Sequence, residues 1–309
     1  MENVTVRGVS LFDVYVNLFI KMILKRSGRK RIFSSSEAAL AELERMKRET
    51  PENADIPAGL KLSTLAGREE FLGSPLYRFS SEKKSGKTVV YLHGGAFVNQ
   101  PIPRHFRAVD RLCADSGAEV FFPVYPKAPA HGFRETYELV EALYRRLLET
   151  RGSEDIVFMG DSAGAMLCVT LCGFFAEKGL PLPSKLILYS LVADASLDNP
   201  EIARVDPKDP MQGADGLREY IRAWAGDEPL TSPLIDPMNA DLSVLPETLI
   251  VCGENEVFTP DALIFTEKAR AAGADVTCCV FKRMYHCFPL FSLRAAKTVR
   301  GMACDFLEK

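Results

Sequence analysis

The most apolar stretch of the chain, residues 11–24, is interrupted at regular intervals. Asp13, Asn17, Lys21 and Lys25 recur every four residues. On a helix this spacing draws one narrow polar stripe along an otherwise apolar cylinder. The stretch is too short for a membrane span, which needs about 20 apolar residues. Lys25, Arg26, Arg29, Lys30 and Arg31 follow the apolar run. A cleaved signal peptide has its basic residues in front and ends at small residues. The segment is therefore expected to stay on the protein and to dock against its body. A peripheral helix on an anionic membrane surface is the alternative. Ser34 and Glu37 have capping-box spacing, and residues 38–46 favour helix. Thr50-Pro51 and Pro57-Ala58-Gly59 break the pattern. Residues 1–55 thus read as an N-terminal helical cap segment.

From about residue 60 the period changes. Segments 59–65 and 75–79 read as short strands of a hairpin-like edge. Further β-rich runs follow at 88–92, 119–123, 155–159, 186–190, 248–252 and 276–281. Helical patterns lie at 104–115, 132–150, 163–178, 260–272 and 291–308. Runs that are apolar throughout, such as Val-Val-Tyr-Leu and Leu-Ile-Val-Cys, suit a sheet covered on both faces. The alternation predicts an α/β domain over residues 56–309, with a mostly parallel eight-stranded sheet flanked by helices. Ligands of such sheets sit beyond the carboxyl ends of the strands, so the strand exits are where chemistry is expected.

Composition narrows the classes. A chain of 309 residues that is 47% apolar is neither disordered, collagen-like nor a small disulfide scaffold. A net charge of −3 offers no global basic field for nucleic acid. The charge is uneven. Residues 1–50 hold ten basic and six acidic side chains, which leaves an acidic remainder. The eight cysteines form no C-x-x-C pair, and none has a histidine at metal-ligand spacing. They read as small buried hydrophobes in a reducing cytosol, which predicts a cytoplasmic protein. No metal or cofactor is expected.

The strand exits carry the chemistry. Gly160-Asp161-Ser162-Ala163-Gly164 is a G-x-S-x-G element between a strand and a helix. Its serine sits on a sharp turn, where Gly160 and Gly164 remove side chains that would clash. The strand at 88–92 exits into His93-Gly94-Gly95-Ala96-Phe97. Acyl transfer needs N–H donors aimed at a developing oxyanion. The main-chain N–H groups of Gly94, Gly95 and Ala163 are the expected donors, with His93 holding the loop in shape. The chain order that accompanies such an elbow is nucleophile, acid, histidine. Of His93, His105, His131 and His286, only His286 follows Ser162. It is the expected general base. The acid is expected in the loop after 248–252, where Glu254, Glu256 and Asp261 all qualify.

These motifs resemble the hormone-sensitive-lipase-like branch of the α/β-hydrolases, the bacterial carboxylesterases and acetyl esterases. The resemblance runs from about residue 85 to the end. It is carried by His-Gly-Gly-Ala-Phe at 93–97, Tyr-Pro-Lys-Ala-Pro at 125–129 and Gly-Asp-Ser-Ala-Gly at 160–164. Ser-Pro-Leu at 232–234 and Met-Tyr-His-Cys-Phe at 284–288 continue it. It implies the α/β-hydrolase fold with a helical cap, built from residues 1–55 and a second segment near 195–230. It implies Glu256 as the acid, in a place where the family usually has Asp, with Asp261 as second choice. Trp224, in the second segment, would line an acyl pocket or pack in the core. The activity implied is that of a serine carboxylesterase on short- to medium-chain acyl esters. Its Ser162, His286 and acid would work through a covalent acyl-enzyme, without cofactor. An amidase or aryl formamidase on the same triad is the alternative. A non-catalytic ligand receptor on the same fold fits poorly with the presence of His286. The expected partner is a small ester and not nucleic acid. Weak membrane contact through residues 11–31 and homodimerisation stay open.

Overall fold

The computed structural model describes residues 4–26, 28–49 and 55–309. The chain opens with β1 (Val4–Arg7), α1 (Leu11–Arg26), α2 (Arg29–Phe33) and α3 (Ser36–Glu49). A hairpin of β2 (Leu65–Phe71) and β3 (Ser74–Phe79) leads to β4 (Thr88–Leu92), α4 (Pro103–Ser116) and β5 (Glu119–Pro123). Then come α5 (Phe133–Leu148), β6 (Ile156–Asp161), α6 (Ala163–Glu177) and β7 (Lys185–Tyr189). An insertion holding α7 (Ile202–Val205) and α8 (Ala214–Ala225) precedes β8 (Glu247–Gly253). The chain closes with α9 (Thr259–Ala271), β9 (Val276–Phe281) and α10 (Arg294–Glu308).

One sheet runs in the order β1-β9-β8-β7-β6-β4-β5-β3-β2. Only the β2–β3 and β3–β5 pairs are antiparallel. The sheet has nine strands where eight were expected. The additional strand, β1, pairs in parallel with β9 from Val4 opposite Cys278 to Arg7 opposite Phe281. Three of its four residues are exposed, so it carries no apolar period that could betray it. The first hairpin strand is also shifted, from the expected 59–65 to Leu65–Phe71. Its residues are almost all exposed on the sheet edge, and hydrogen bonding to β3 replaces burial as the ordering force.

The central strands are apolar throughout because both faces are covered. Val90, Phe158, Leu188 and Ile250 enter one core layer. Their neighbours Val89, Val157, Ile187 and Val251 enter the opposite one. Period-2 alternation therefore sorts residues between two cores instead of between core and water.

The N-terminal helices and the insertion pack as one layer over the strand exits. Phe33 meets Tyr220 edge-to-face at 5.5 Å. The Lys30 ammonium donates to the Asp206 carboxylate and to the carbonyls of Asp206 and Gln212. Ser34 ends α2, its N–H donating to the Lys30 carbonyl. The hydroxyl that accepts at the start of α3, from the Ala38 N–H at 3.2 Å, is that of Ser35 and not of Ser34. The break expected at Thr50-Pro51 lies outside the described residues. Among the described residues, no helix is long and apolar enough to cross a membrane.

Candidate active site

Ser162 stands at the exit of β6, ahead of the first residue of α6, with φ 55° and ψ −119°. That is a strained conformation for a side chain with a Cβ. The surroundings enforce it. A Cβ on Gly164 would fall within the Leu92 carbonyl of β4, so only glycine lets α6 lie this close to the sheet. On the other side, a Cβ on Gly94 would come to 2.8 Å from the Asp161 carbonyl and 3.0 Å from the Ser162 Cβ. Two strand exits thus press together around the serine.

His286 follows β9, and its Nε2 accepts the Ser162 hydroxyl at 2.9 Å. Its Nδ1 lies 3.2 Å from Glu256 Oε2. Phe258 packs edge-on against the imidazole at 5.0 Å. The other Glu256 oxygen accepts the Gly253 N–H at 3.0 Å, and all three side chains are buried. Serine, histidine and carboxylate therefore form one hydrogen-bonded line from three different strand exits.

The other acids of that loop are directed elsewhere. Glu254 accepts the Arg283 N–H at 2.9 Å and is exposed. Asp261 lies in the first turn of α9 and accepts the Asn199 amide at 2.6 Å. Burial raises the Asp261 carboxyl to about 6. It makes no contact with His286 among the described residues. A carboxylate missed in the sequence, Asp209 of the insertion, does approach the line. It accepts the N–H of Val257, next to Glu256, at 3.1 Å, and those of Met211 and Gln212. Burial raises it to about 6, and the Glu256 charge adds to the rise. Its signal was absent because it lies 47 positions from Glu256 in a segment without motif.

The expected oxyanion donors need one correction. The Gly94 N–H donates to Asp161 Oδ1 at 3.1 Å and so is not free to face a substrate. Asp161 also accepts the Tyr91 hydroxyl at 2.7 Å and lies 3.4 Å from His105 Nε2. Burial opposes its ionisation, but His105, Tyr91 and the Gly94 N–H outweigh burial and hold the carboxyl at about 2. The motif aspartate beside the serine thus claims the first glycine of the loop. Gly95 and Ala96 remain on the cavity wall. Their N–H groups, and that of Ala163 at the open start of α6, have no partner among the described residues. Ala96 escapes a reading based on the glycines of the loop. The signal available was the acid of Gly-Asp-Ser-Ala-Gly, which needs a donor nearby.

His93 is buried beneath the loop, stacked on Tyr125 at 4.4 Å, with Nδ1 2.7 Å from the Gly94 carbonyl. Burial, helped by the Lys127 charge, keeps it well below the usual histidine range. A neutral ring that donates from Nδ1 pins the turn. Gly160 lies in β6 directly before Asp161, the strand's last residue. Cys287 is more than a small buried hydrophobe, because its Sγ lies 3.3 Å from His286 Nε2. Burial, then the Asp161 and Glu256 charges, raises this thiol well above the ordinary range, so it stays protonated. Trp224 packs in the core, stacked on Phe97 at 3.9 Å, with its indole N–H donating to Thr136.

Ser162 and His286 open onto a cavity of about 70 Å³. Phe33, Met211, Leu217, Leu290 and Phe291 make much of its wall apolar. A serine hydroxyl bonded to an imidazole that a carboxylate holds in turn, with N–H groups around one small cavity, is an arrangement that suits acyl transfer.

Residues 89–290 match a family model described as alpha/beta hydrolase fold. The chain is 26% identical over 288 residues to an esterase of Acinetobacter venetianus, covering 90% of this chain and 91% of that protein. It is 31% identical over 206 residues to an acetyl-hydrolase of Streptomyces hygroscopicus, covering 66% of this chain and 69% of the other. Among solved structures it is similar to a hormone-sensitive lipase from a metagenome library, with a TM-score of 0.79 and 26% identity. That likeness covers 94% of this chain and 97% of the other.

Proposed function

The chain belongs to the α/β-hydrolase-fold family and is a carboxylic ester hydrolase, and from that premise we propose that it cleaves short-acyl esters through a covalent intermediate on Ser162. The observation that carries this reading is the 2.9 Å approach of Ser162 Oγ to His286 Nε2 at the cavity wall.

The Ser162 oxygen attacks the ester carbonyl carbon as its proton passes to His286 Nε2. Glu256 holds Nδ1–H of the imidazole and stabilises the imidazolium that forms. The carbonyl oxygen becomes an oxyanion, received by the N–H groups of Gly95, Ala96 and Ala163. The positive end of α6 points at the same place. Collapse expels the alcohol, which takes the proton back from His286. Water then gives a proton to His286 and attacks the acyl-enzyme, and collapse releases the acid as Ser162 takes that proton back from His286. Helices α2 and α3, with the insertion near 195–230, act as the cap over this site, whereas β1 belongs to the sheet, so the cap is not the whole of residues 1–55. The cavity of about 70 Å³ suits acetyl and similar small acyl groups.

A series of p-nitrophenyl esters from acetate to decanoate, run beside matching anilides, tests the proposal. kcat/KM is expected to be highest for acetate to butyrate and to fall for longer chains. Faster turnover of the anilides, or a preference for decanoate, would overturn it.

A further inference from the structure

The helix α1 lies on the protein with its polar side inward. Asp13 accepts the Arg294 N–H at 2.8 Å, and Asn17 donates to the Arg283 carbonyl at 2.7 Å. Asp13, Asn17 and Leu24 are the buried residues of the helix. The outward arc holds Leu11, Tyr15, Leu18, Phe19, Met22 and Ile23. Leu11 is 76% exposed, Tyr15 73% and Leu18 69%. An apolar arc of this size on the surface marks a place where something else binds.

The charges around the arc identify the occupant. Lys25 and Arg26 are exposed at its C-terminal end, and Lys208 of the insertion borders the same groove. None of the three forms an ion pair among the described residues. At the other end the Arg294 guanidinium stacks over the Phe12 ring at 4.6 Å. A second copy would bring cation against cation, whether the helices paired parallel or antiparallel. An apolar face flanked at both ends by cations that form no ion pair among the described residues is complementary to a surface with apolar depth and anionic headgroups.

We propose that the outward face of α1 is a membrane-docking surface that lays the protein on anionic phospholipid bilayers. The helix lies in the plane of the interface, with its aromatic and aliphatic side chains below the headgroups and Lys25, Arg26, Lys208 and Arg294 among them. The docking surface adjoins the catalytic cavity. The Asp13 contact, Arg294, is three residues beyond the wall residue Phe291, and the groove residue Lys208 is three before the wall residue Met211. The proposal is independent of the esterase reading, because binding is measured without turnover.

The test is flotation of the full chain with vesicles of phosphatidylcholine alone and of phosphatidylcholine with one-third phosphatidylglycerol. The protein is expected to float with the anionic vesicles and to remain behind with the neutral ones. Leu18→Ser with Phe19→Ser should lower the partition coefficient by about tenfold or more. Lys25→Glu with Arg26→Glu should lower it at least as far, at about fivefold per charge removed and more for the reversal. Both double variants should keep wild-type p-nitrophenyl acetate turnover, which shows that they are folded. Absence of wild-type flotation, or full flotation of both variants, would overturn the proposal. So would a stable dimer in sedimentation velocity that Leu18→Ser with Phe19→Ser dissociates, because a second copy would then be the occupant.

Discussion

The helices α1 and α6 are the two most apolar helices of the chain, and they meet opposite surroundings. Every residue of α6 from Ala163 to Cys172 is buried. In α1 most of the large apolar side chains face out, with Leu24 buried and Val16 and Ile20 partly so, and two of the three buried residues are polar. Hydrophobicity alone would have sent both inward, or would at least have turned the stripe of α1 outward. The difference lies in what each helix has to satisfy. α6 packs against strands whose backbone groups are already paired within the sheet, so it needs only apolar volume and small residues for close approach. α1 crosses loop ends that carry open backbone groups. The Arg294 N–H is one of the orphan donors at the start of α10, and Asp13 supplies its acceptor there. Asn17 supplies the donor for the Arg283 carbonyl. Leaving such groups buried and unmet costs about 1–3 kcal/mol each. Asp13 and Asn17 of the polar stripe therefore point inward, while Lys25 at its far end stays exposed, and the apolar arc is what remains for solvent or a bilayer.

The widest separation between the two helices is chemical. α6 follows directly on Ser162, and Ser162→Ala should lower kcat for p-nitrophenyl acetate by about 10⁶-fold with the far-UV spectrum unchanged. Substitutions on the outward arc of α1 should leave that kcat within about twofold, in line with surface positions elsewhere. A serine variant that keeps most of its activity would break the comparison at its strongest point. Next in size is Glu256→Gln, expected to cost about 10⁴-fold in kcat through the loss of imidazole orientation. Asp261→Asn, directed at Asn199, should cost little by comparison. If the two results were exchanged, the acid would belong to the start of α9.

Stability separates the helices next. Leu167 of α6 is fully buried, and Leu167→Ala should cost about 2–5 kcal/mol in urea unfolding. Gly164→Ala should be comparably severe, since its Cβ meets the Leu92 backbone, which cannot move without β4. In α1 the sensitive position is a polar one. Asn17→Ala leaves the Arg283 carbonyl without its donor and should cost about 1–2 kcal/mol.

The same contrast explains what could be read in the sequence. The strands from β4 onward and the placement of Ser162 and His286 at strand exits were legible because each depends on a local signal: an apolar run, a glycine spacing, a chain order. β1 was not, since an edge strand of four residues is held by its backbone pairing to β9. The inward stripe of α1 was not, since its partners Arg283 and Arg294 lie more than 250 positions away. The competition for the Gly94 N–H was hidden for the same reason. Asp161 and Gly94 meet only when β4 and β6 pair, and that pairing takes the Gly94 N–H away from the cavity. The spacing of Asp13, Asn17 and Lys21 showed that α1 had a polar side. Only the loops beneath it decided which way that side faced.

The smallest effect is the most discriminating. Leu18→Ala removes the same atoms as Leu167→Ala, from a helix of similar apolar content. If α1 faces out as described, the free energy of unfolding should change by no more than about 0.5 kcal/mol, the range of ordinary surface substitutions. Urea unfolding of the two variants, each against the parent chain, gives the comparison directly. A loss of several kcal/mol at Leu18 would mean that the arc is buried in solution, against the body or a second copy. A negligible loss at Leu18 beside a large loss at Leu167 would leave an apolar face that contributes nothing to folding. A face of that kind is explained by what it binds.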